Sequence, residues 1–330
     1  MRKFIILAVV LAVLIAGCAS QEGAVKIIKL NKTNISQNTS IPSSNATQPS
    51  QNLSNASANA TSNITSNLTS NLTNATSNQT ANVSATSANI RNLTIDFINL
   101  DGNSILIRTP NRKNAIIDGG ANSDGLRLVK YVMGKGIMKF DYVFASNAEL
   151  DNAGGLPSII FNFNDSQAYY SGISYGTNYL SYRNYQTYST AYSHPPIAIE
   201  NDRSFEIDNG VELQAFLPYE DNQSNGMPRD DTMVFRLDYK DASFLFLGDC
   251  TDSPCFDKIK GKGISADVLK VNGVVSEQVI GAVSPKIIVY DTITNQTIKP
   301  EGVKVYSKED GTVMIMSDGE KYFISIIGKE

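Results

Sequence analysis

The feature that most limits what this chain can fold into is the run from Asn31 to about Ser87, built almost wholly of Asn, Ser, Thr, Ala and Gln. It holds no aromatic and no acidic residue, and its few Leu and Ile are scattered. Such a composition buries too little apolar surface to offset the entropy of ordering the chain, so residues 31–91 are expected to form a disordered stalk. As a flexible coil of about 55 residues the stalk would span roughly 40 Å. The acceptor pattern Asn-x-Ser/Thr recurs in it at Asn31, Asn34, Asn38, Asn45, Asn52, Asn55, Asn59, Asn63, Asn67, Asn71, Asn74, Asn78 and Asn82. An Asn- and Ser/Thr-rich tract produces some such triplets by chance. Here they mostly return every three or four residues, which favours a glycosylated stalk.

The start of the chain agrees with export. Basic Arg2 and Lys3, the apolar run Phe4 to Ala16 and the small residues before Cys18 have the order of a signal peptide, and the apolar run is short for a membrane span. Ile15-Ala16-Gly17-Cys18 resembles a lipobox, whose cysteine is lipidated and becomes the mature N-terminus. Residues 1–17 are thus read as signal peptide and 18–30 as a lipid-anchor region, with Cys18 the lipidation site. An uncleaved N-terminal anchor is the alternative. Either reading places the rest at the cell surface, on the extracellular face of the membrane.

What remains, residues 92–330, is long enough for one domain with a substantial core. Of 28 Lys+Arg and 32 Asp+Glu, six basic residues and one acidic residue precede Asn92, so the domain carries 22 basic and 31 acidic groups, a net −9. That charge repels a nucleic-acid backbone on average, and nucleic acid is not an expected partner. Cys250 and Cys255, close in sequence and in an oxidising location, are candidates for a disulfide or for packed thiols. Short apolar runs with turn signals between them read as strands: Leu93 to Ile98, Ser104 to Arg108, Ala115 to Asp118, Tyr142 to Ala145, Val211 to Phe216, Met233 to Tyr239, Ser243 to Leu247, Val268 to Val271 and Ile287 to Tyr290. Val313 to Met316 with Tyr322 to Ile326 reads as a closing hairpin, and Leu126 to Gly134 has helical spacing. Two sets of strands with few helices suggest a layered α/β sandwich.

Particular strings go further. Ile105-Leu106-Ile107-Arg108-Thr109-Pro110, then Ile116-Ile117-Asp118-Gly119-Gly120, Asp151-Asn152-Ala153-Gly154-Gly155, Asp230-Asp231-Thr232-Met233-Val234, Phe244 to Asp249 and Ala266 to Val271 occur in the order and spacing of one family. The domain resembles a metallo-β-lactamase fold, in particular the C-terminal domain of ComEC-type DNA-uptake proteins, which implies an αββα sandwich. The resemblance also implies a binuclear metal centre, commonly zinc or manganese, that makes hydroxide from water. Its ligands come from a Ser-His-x-Asp/His-x-Asp-His loop, a Gly-Asp bridge and a His after a Leu-Lys-Val strand. Here the loop reads Ser146 to Asn152 with Asn147 and Asn152 at the outer His positions, and the last site reads Asn272-Gly273-Val274, with Gly273 and Val274 taken as lost ligand positions.

Three carboxylates remain at ligand positions, Glu149, Asp151 and Asp249. An all-oxygen set suits Mn²⁺, Mg²⁺ or Ca²⁺ better than zinc, and side-chain carbonyls of Asn147 and Asn152 could join it. The alternative is that Asp151 caps loop amides and Asp249 is hydrogen-bonded at a strand end. The single histidine, His194, stands away from every matched string and has no nucleophile motif beside it, which argues against a Ser/His/Asp triad. Gly119-Gly120 lacks the later glycine and lysine of a phosphate-binding loop. Tyr169, Tyr170, Tyr175, Tyr179, Tyr182, Tyr185, Tyr188 and Tyr192 either offer an aromatic binding surface or pack on the domain and cover a sheet. The expectation is a surface lipoprotein whose domain has lost its metal site and binds a surface protein or glycan without a cofactor. The alternative is an extracellular metal-dependent hydrolase of phosphodiesters or nucleic acid, with weakly bound Mn or Mg.

Overall fold

Burial of alternate residues on opposite faces organises the domain. The computed structural model describes residues 92–163, 166–219, 226–252 and 254–328. The signal peptide, Cys18, the stalk and its acceptor asparagines lie outside the described residues.

The strands are β1 (Leu93–Phe97), β2 (Ile105–Arg108), β3 (Asn114–Ile117), β4 (Tyr142–Phe144), β5 (Gln167–Tyr170), β6 (Ile197–Ala198), β7 (Arg203–Asp208), β8 (Val211–Phe216), β9 (Val234–Tyr239), β10 (Ala242–Gly248), β11 (Val268–Val271), β12 (Ile287–Tyr290), β13 (Lys304–Ser307), β14 (Thr312–Ser317) and β15 (Tyr322–Ile327). They form an eight-stranded sheet, β15-β14-β1-β2-β3-β4-β5-β6, and a seven-stranded sheet, β13-β12-β11-β10-β9-β8-β7. The helices are α1 (Gly125–Gly134), α2 (Leu150–Ala153), α3 (Leu156–Asn162), α4 (Leu180–Tyr192), α5 (Cys255–Ile259) and α6 (Glu277–Val283).

Strand β10 shows how the layers arise. Phe244 and Phe246 enter the core between the sheets, while Leu245 and Leu247 turn outward under Phe256 and Ile259 of α5 and Val279 and Val283 of α6. β12 repeats the division, Ile287 and Val289 inward, Ile288 and Tyr290 outward. Strands buried on both faces suit parallel pairing, and β10, β11 and β12, so buried, are joined in parallel, with β13 added at the edge. On the other side α1 buries Leu128, Val129 and Val132, and α3 buries Ile159 and Ile160. The result is the αββα sandwich. Among the described residues no helix is long and apolar enough to cross a membrane.

Half of the tyrosines in the Tyr-rich stretch, Tyr169, Tyr175, Tyr182 and Tyr185, pack into the core. Most of the stretch is the helix α4, with Tyr182 and Tyr185 fully buried. Tyr185 Oη donates to the Val143 and Tyr169 carbonyls, and Tyr219 Oη donates to the Ser171 carbonyl. Cys250 and Cys255 form a disulfide that ties the end of β10 to the start of α5.

Candidate functional site: an amide-caged carboxylate

Parallel pairing of β10, β11 and β12 brings the residues after their carboxyl ends, Asp249, Asn272 and Asp291, to one edge of the seven-stranded sheet. The loop after β4, Ser146 to Asn152, meets them from the other sheet. Gly248, just before Asp249, has φ +56, and a Cβ there would meet Thr232 Cγ2 at 3.0 Å. The tight approach of β10 to the Thr232 segment thus requires glycine.

Asp249 is the centre of the cluster. Its Oδ2 accepts from Asn147 Nδ2 at 2.9 Å and Asn152 Nδ2 at 2.6 Å, and its Oδ1 accepts from Asn272 Nδ2 at 3.2 Å. The amide oxygens are engaged elsewhere. Asn147 Oδ1 accepts from the Glu149 N–H and from Asn152 Nδ2, both at 2.8 Å. Asn152 Oδ1 accepts from Asn103 Nδ2 at 2.8 Å, and Asn272 Oδ1 accepts from Lys270 Nζ at 2.9 Å. Lys270 is buried; its ammonium also meets the Val271 carbonyl and Asp291 Oδ1 at 2.5 Å, so all three of its donors are satisfied. Burial pushes the Lys270 pKa down, and the Asp291 charge opposes that shift. Lys308 Nζ joins from the far side, 3.1 Å from Asp291 Oδ1 and 2.8 Å from the Gly102 carbonyl.

The other carboxylates behave differently. Glu149 and Asp151 form no salt bridge among the described residues. Burial raises both pKa values; the charges of Asp151 and Asp249 raise Glu149 further, and those of Asp249 and Asp291 raise Asp151. Asp118, at the end of β3, is buried with its Oδ1 on the Ser146 N–H and its Oδ2 on Ser146 Oγ. Burial pushes its pKa up to about 7, against the pull of the two Ser146 hydrogen bonds.

The donor set does not fit the metal centre that the fold implies. Three amide N–H groups, which have no lone pair to offer, face the carboxylate where a cation would sit. The oxygen set expected for Mn or Mg is not assembled either, because the Asn147 and Asn152 carbonyls are held by other donors. Among the described residues no group of three or more His, Cys, Asp or Glu is placed to hold a metal ion.

The loop after β11 contributes to the cluster through a residue not named among the ligand positions. In the loop after β11 it is Asn272 that reaches Asp249, whereas Val274 points to solvent, 43% exposed, and Gly273 leaves open space around its Cα. Asn103, Lys270, Asp291 and Lys308 were not anticipated. Lys270, a charged residue inside an apolar parallel strand, is the one signal in the sequence that marks a buried partner nearby. His194 lies outside the cluster, with Nδ1 3.3 Å from the Ser166 carbonyl.

Residues 98–261 match the model of the metallo-beta-lactamase superfamily. No curated protein matches the chain. Among solved structures, a HARLDQ-motif metallo-beta-lactamase of Cronobacter sakazakii is similar at 14% identity and TM-score 0.36, over 53% of this chain and 76% of that one. A putative metal-dependent hydrolase of Parabacteroides distasonis is similar at 15% identity and TM-score 0.40, over 65% and 92%. At such scores neither likeness bears on the assignment, which rests on the family match and the sandwich topology. On those two grounds the domain belongs to the metallo-beta-lactamase superfamily.

Proposed function

We propose that this chain is an exported surface lipoprotein, anchored at Cys18 and spaced from the membrane by its stalk, whose domain is a binding module rather than a hydrolase. One observation carries the reading: the amides of Asn147, Asn152 and Asn272 all donate to Asp249. A metal-activated hydroxide needs a cation held by lone pairs and left open to substrate. Here the same space is filled by N–H groups that donate to the carboxylate. The partner is a surface protein, a glycan or another envelope component. The ComEC-like strings describe the scaffold on which that surface is built.

The competing hydrolase reading draws on Glu149 and Asp151, both raised in pKa by burial and by neighbouring carboxylates, Asp249 among them, whose repulsion a cation would relieve. Metal analysis and turnover decide between the two. The purified protein is expected to carry no stoichiometric zinc and to show only background phosphodiesterase and lactamase activity in Zn²⁺, Mn²⁺ or Mg²⁺. Asn147→His, Asn152→His and Asn272→His combined are expected to gain zinc binding, which Gly273→His or Val274→His in place of the third change would not give. Turnover by the unaltered protein that disappears in Asp151→Ala would establish the hydrolase.

A further inference from the structure

The domain carries four Asn-x-Ser/Thr triplets of its own, at Asn92, Asn164, Asn222 and Asn295. The fold does not present them equally. At Asn92 the acceptor Thr94 is 6% exposed within β1, which is paired on both edges. At Asn164 the hydroxyl of Ser166 is fully buried and donates to the Phe163 carbonyl. Asn222 lies outside the described residues. Asn295 is the opposite case: it sits exposed on the loop between β12 and β13.

That loop is held by its own backbone and by threonines. Tyr290 Oη donates to the Ile298 carbonyl, the Thr294 N–H to Thr297 Oγ1, the Gln296 N–H to Thr294 Oγ1, and the Thr297 N–H to the Thr294 carbonyl. The Asn295 side chain takes part in none of these bonds, so it can be modified without breaking the turn. We infer that Asn295 is an N-glycosylation site of the folded domain; the inference rests on the export reading above.

The chemistry is oligosaccharyl transfer from a lipid-phosphate-linked oligosaccharide. Asn295 Nδ2 forms a bond to the anomeric carbon of the first sugar, and the bond from that carbon to the phosphate oxygen breaks. The lipid phosphate leaves with the electron pair, and the amide proton passes to a base of the transferase. The acceptor stands only four residues beyond Asp291, whose carboxylate holds Lys270 and Lys308.

The test is mass spectrometry of proteolytic peptides from the full chain, secreted by a host that glycosylates Asn-x-Ser/Thr triplets. A glycan is expected on the Asn295 peptide and not on the Asn92 peptide. It should vanish in Thr297→Ala, which keeps Asn295 but removes the acceptor pattern, and persist in Thr297→Ser. A bare Asn295 peptide beside glycosylated stalk peptides would overturn the inference and leave the export reading standing. Bare peptides throughout, stalk included, would overturn both.

Discussion

Between the two sheets Phe97 of β1 stands edge-on to Phe246 of β10 with ring centroids 6.0 Å apart, and Phe144 of β4 stands edge-on to Phe235 of β9 at 5.3 Å. At the ends of the same sheets, Asn147 and Asn152 from one reach Asp249 from the other. Both seams join the same layers, but one is apolar and non-directional and the other is polar and directional. An apolar seam tolerates exchange of one hydrocarbon for another of similar volume, since its stabilisation follows buried area and packing. A polar seam tolerates far less, because each buried donor left alone keeps its full desolvation cost.

The largest expected effect lies in the apolar seam. Phe246→Ala should destabilise the domain by about 3–5 kcal/mol, read as a shift of the urea midpoint at constant slope. Phe246→Leu should cost clearly less; equal losses for the two would contradict the account of that seam.

Asp249→Ala tests the polar seam. It strips one acceptor each from the buried Nδ2 groups of Asn147 and Asn152, which keep only Thr232 Oγ1 and Asn147 Oδ1 respectively. At about 1–3 kcal/mol for each unsatisfied buried donor, the loss should be measurable in the same titration. Asn152→Leu, close in volume, should also destabilise, unlike Phe246→Leu. A neutral Asn152→Leu would mean that the amide cage contributes nothing.

The smallest effect is a slope in pH. Asp118 has its pKa pushed up to about 7 in the fold, against about 4 for an ordinary carboxylate. Between those values the folded form binds the proton and the unfolded form does not. The contribution is therefore fully present below about pH 4 and is lost as pH rises toward 7, at up to about 1.4 kcal/mol per pH unit. Subtracting the pH profile of Asp118→Asn from that of the unaltered protein should isolate this slope. Parallel profiles would remove Asp118 as its source.

These two seams were not equally legible from the chain. The strands that build the apolar seam announce themselves as short runs of Ile, Leu, Val and Phe between turns, and β1, β10, β11 and β12 lie where those runs do. Helix α4 was hidden because tyrosine is no strong helix former. The buried Tyr182, Tyr185 and Ser189 nevertheless return at three- and four-residue intervals, which is a helical stripe. In the polar seam the motif order located Asn147, Asn152 and Asp249. It could not show which way an amide turns, because that depends on partners from distant loops. Asn103, Lys270 and Asp291 orient the cage, and no spacing in the sequence joins them. The hydrogen bond from Asn272 to Asp249 is likewise not legible, because a motif match does not say which side chain of a short loop points inward.

The pairing of β1 with β14 carries a consequence for how the domain comes into being. Leu93 lies opposite Ser317, and the Asn99 N–H donates to Thr312 Oγ1, 213 residues further along. A chain emerging from its N-terminus makes β1 early and must hold its apolar residues, with one edge unpaired, until nearly the whole domain has been synthesised. Contacts of such long sequence separation slow folding. The domain can thus close only once its last hairpin has arrived.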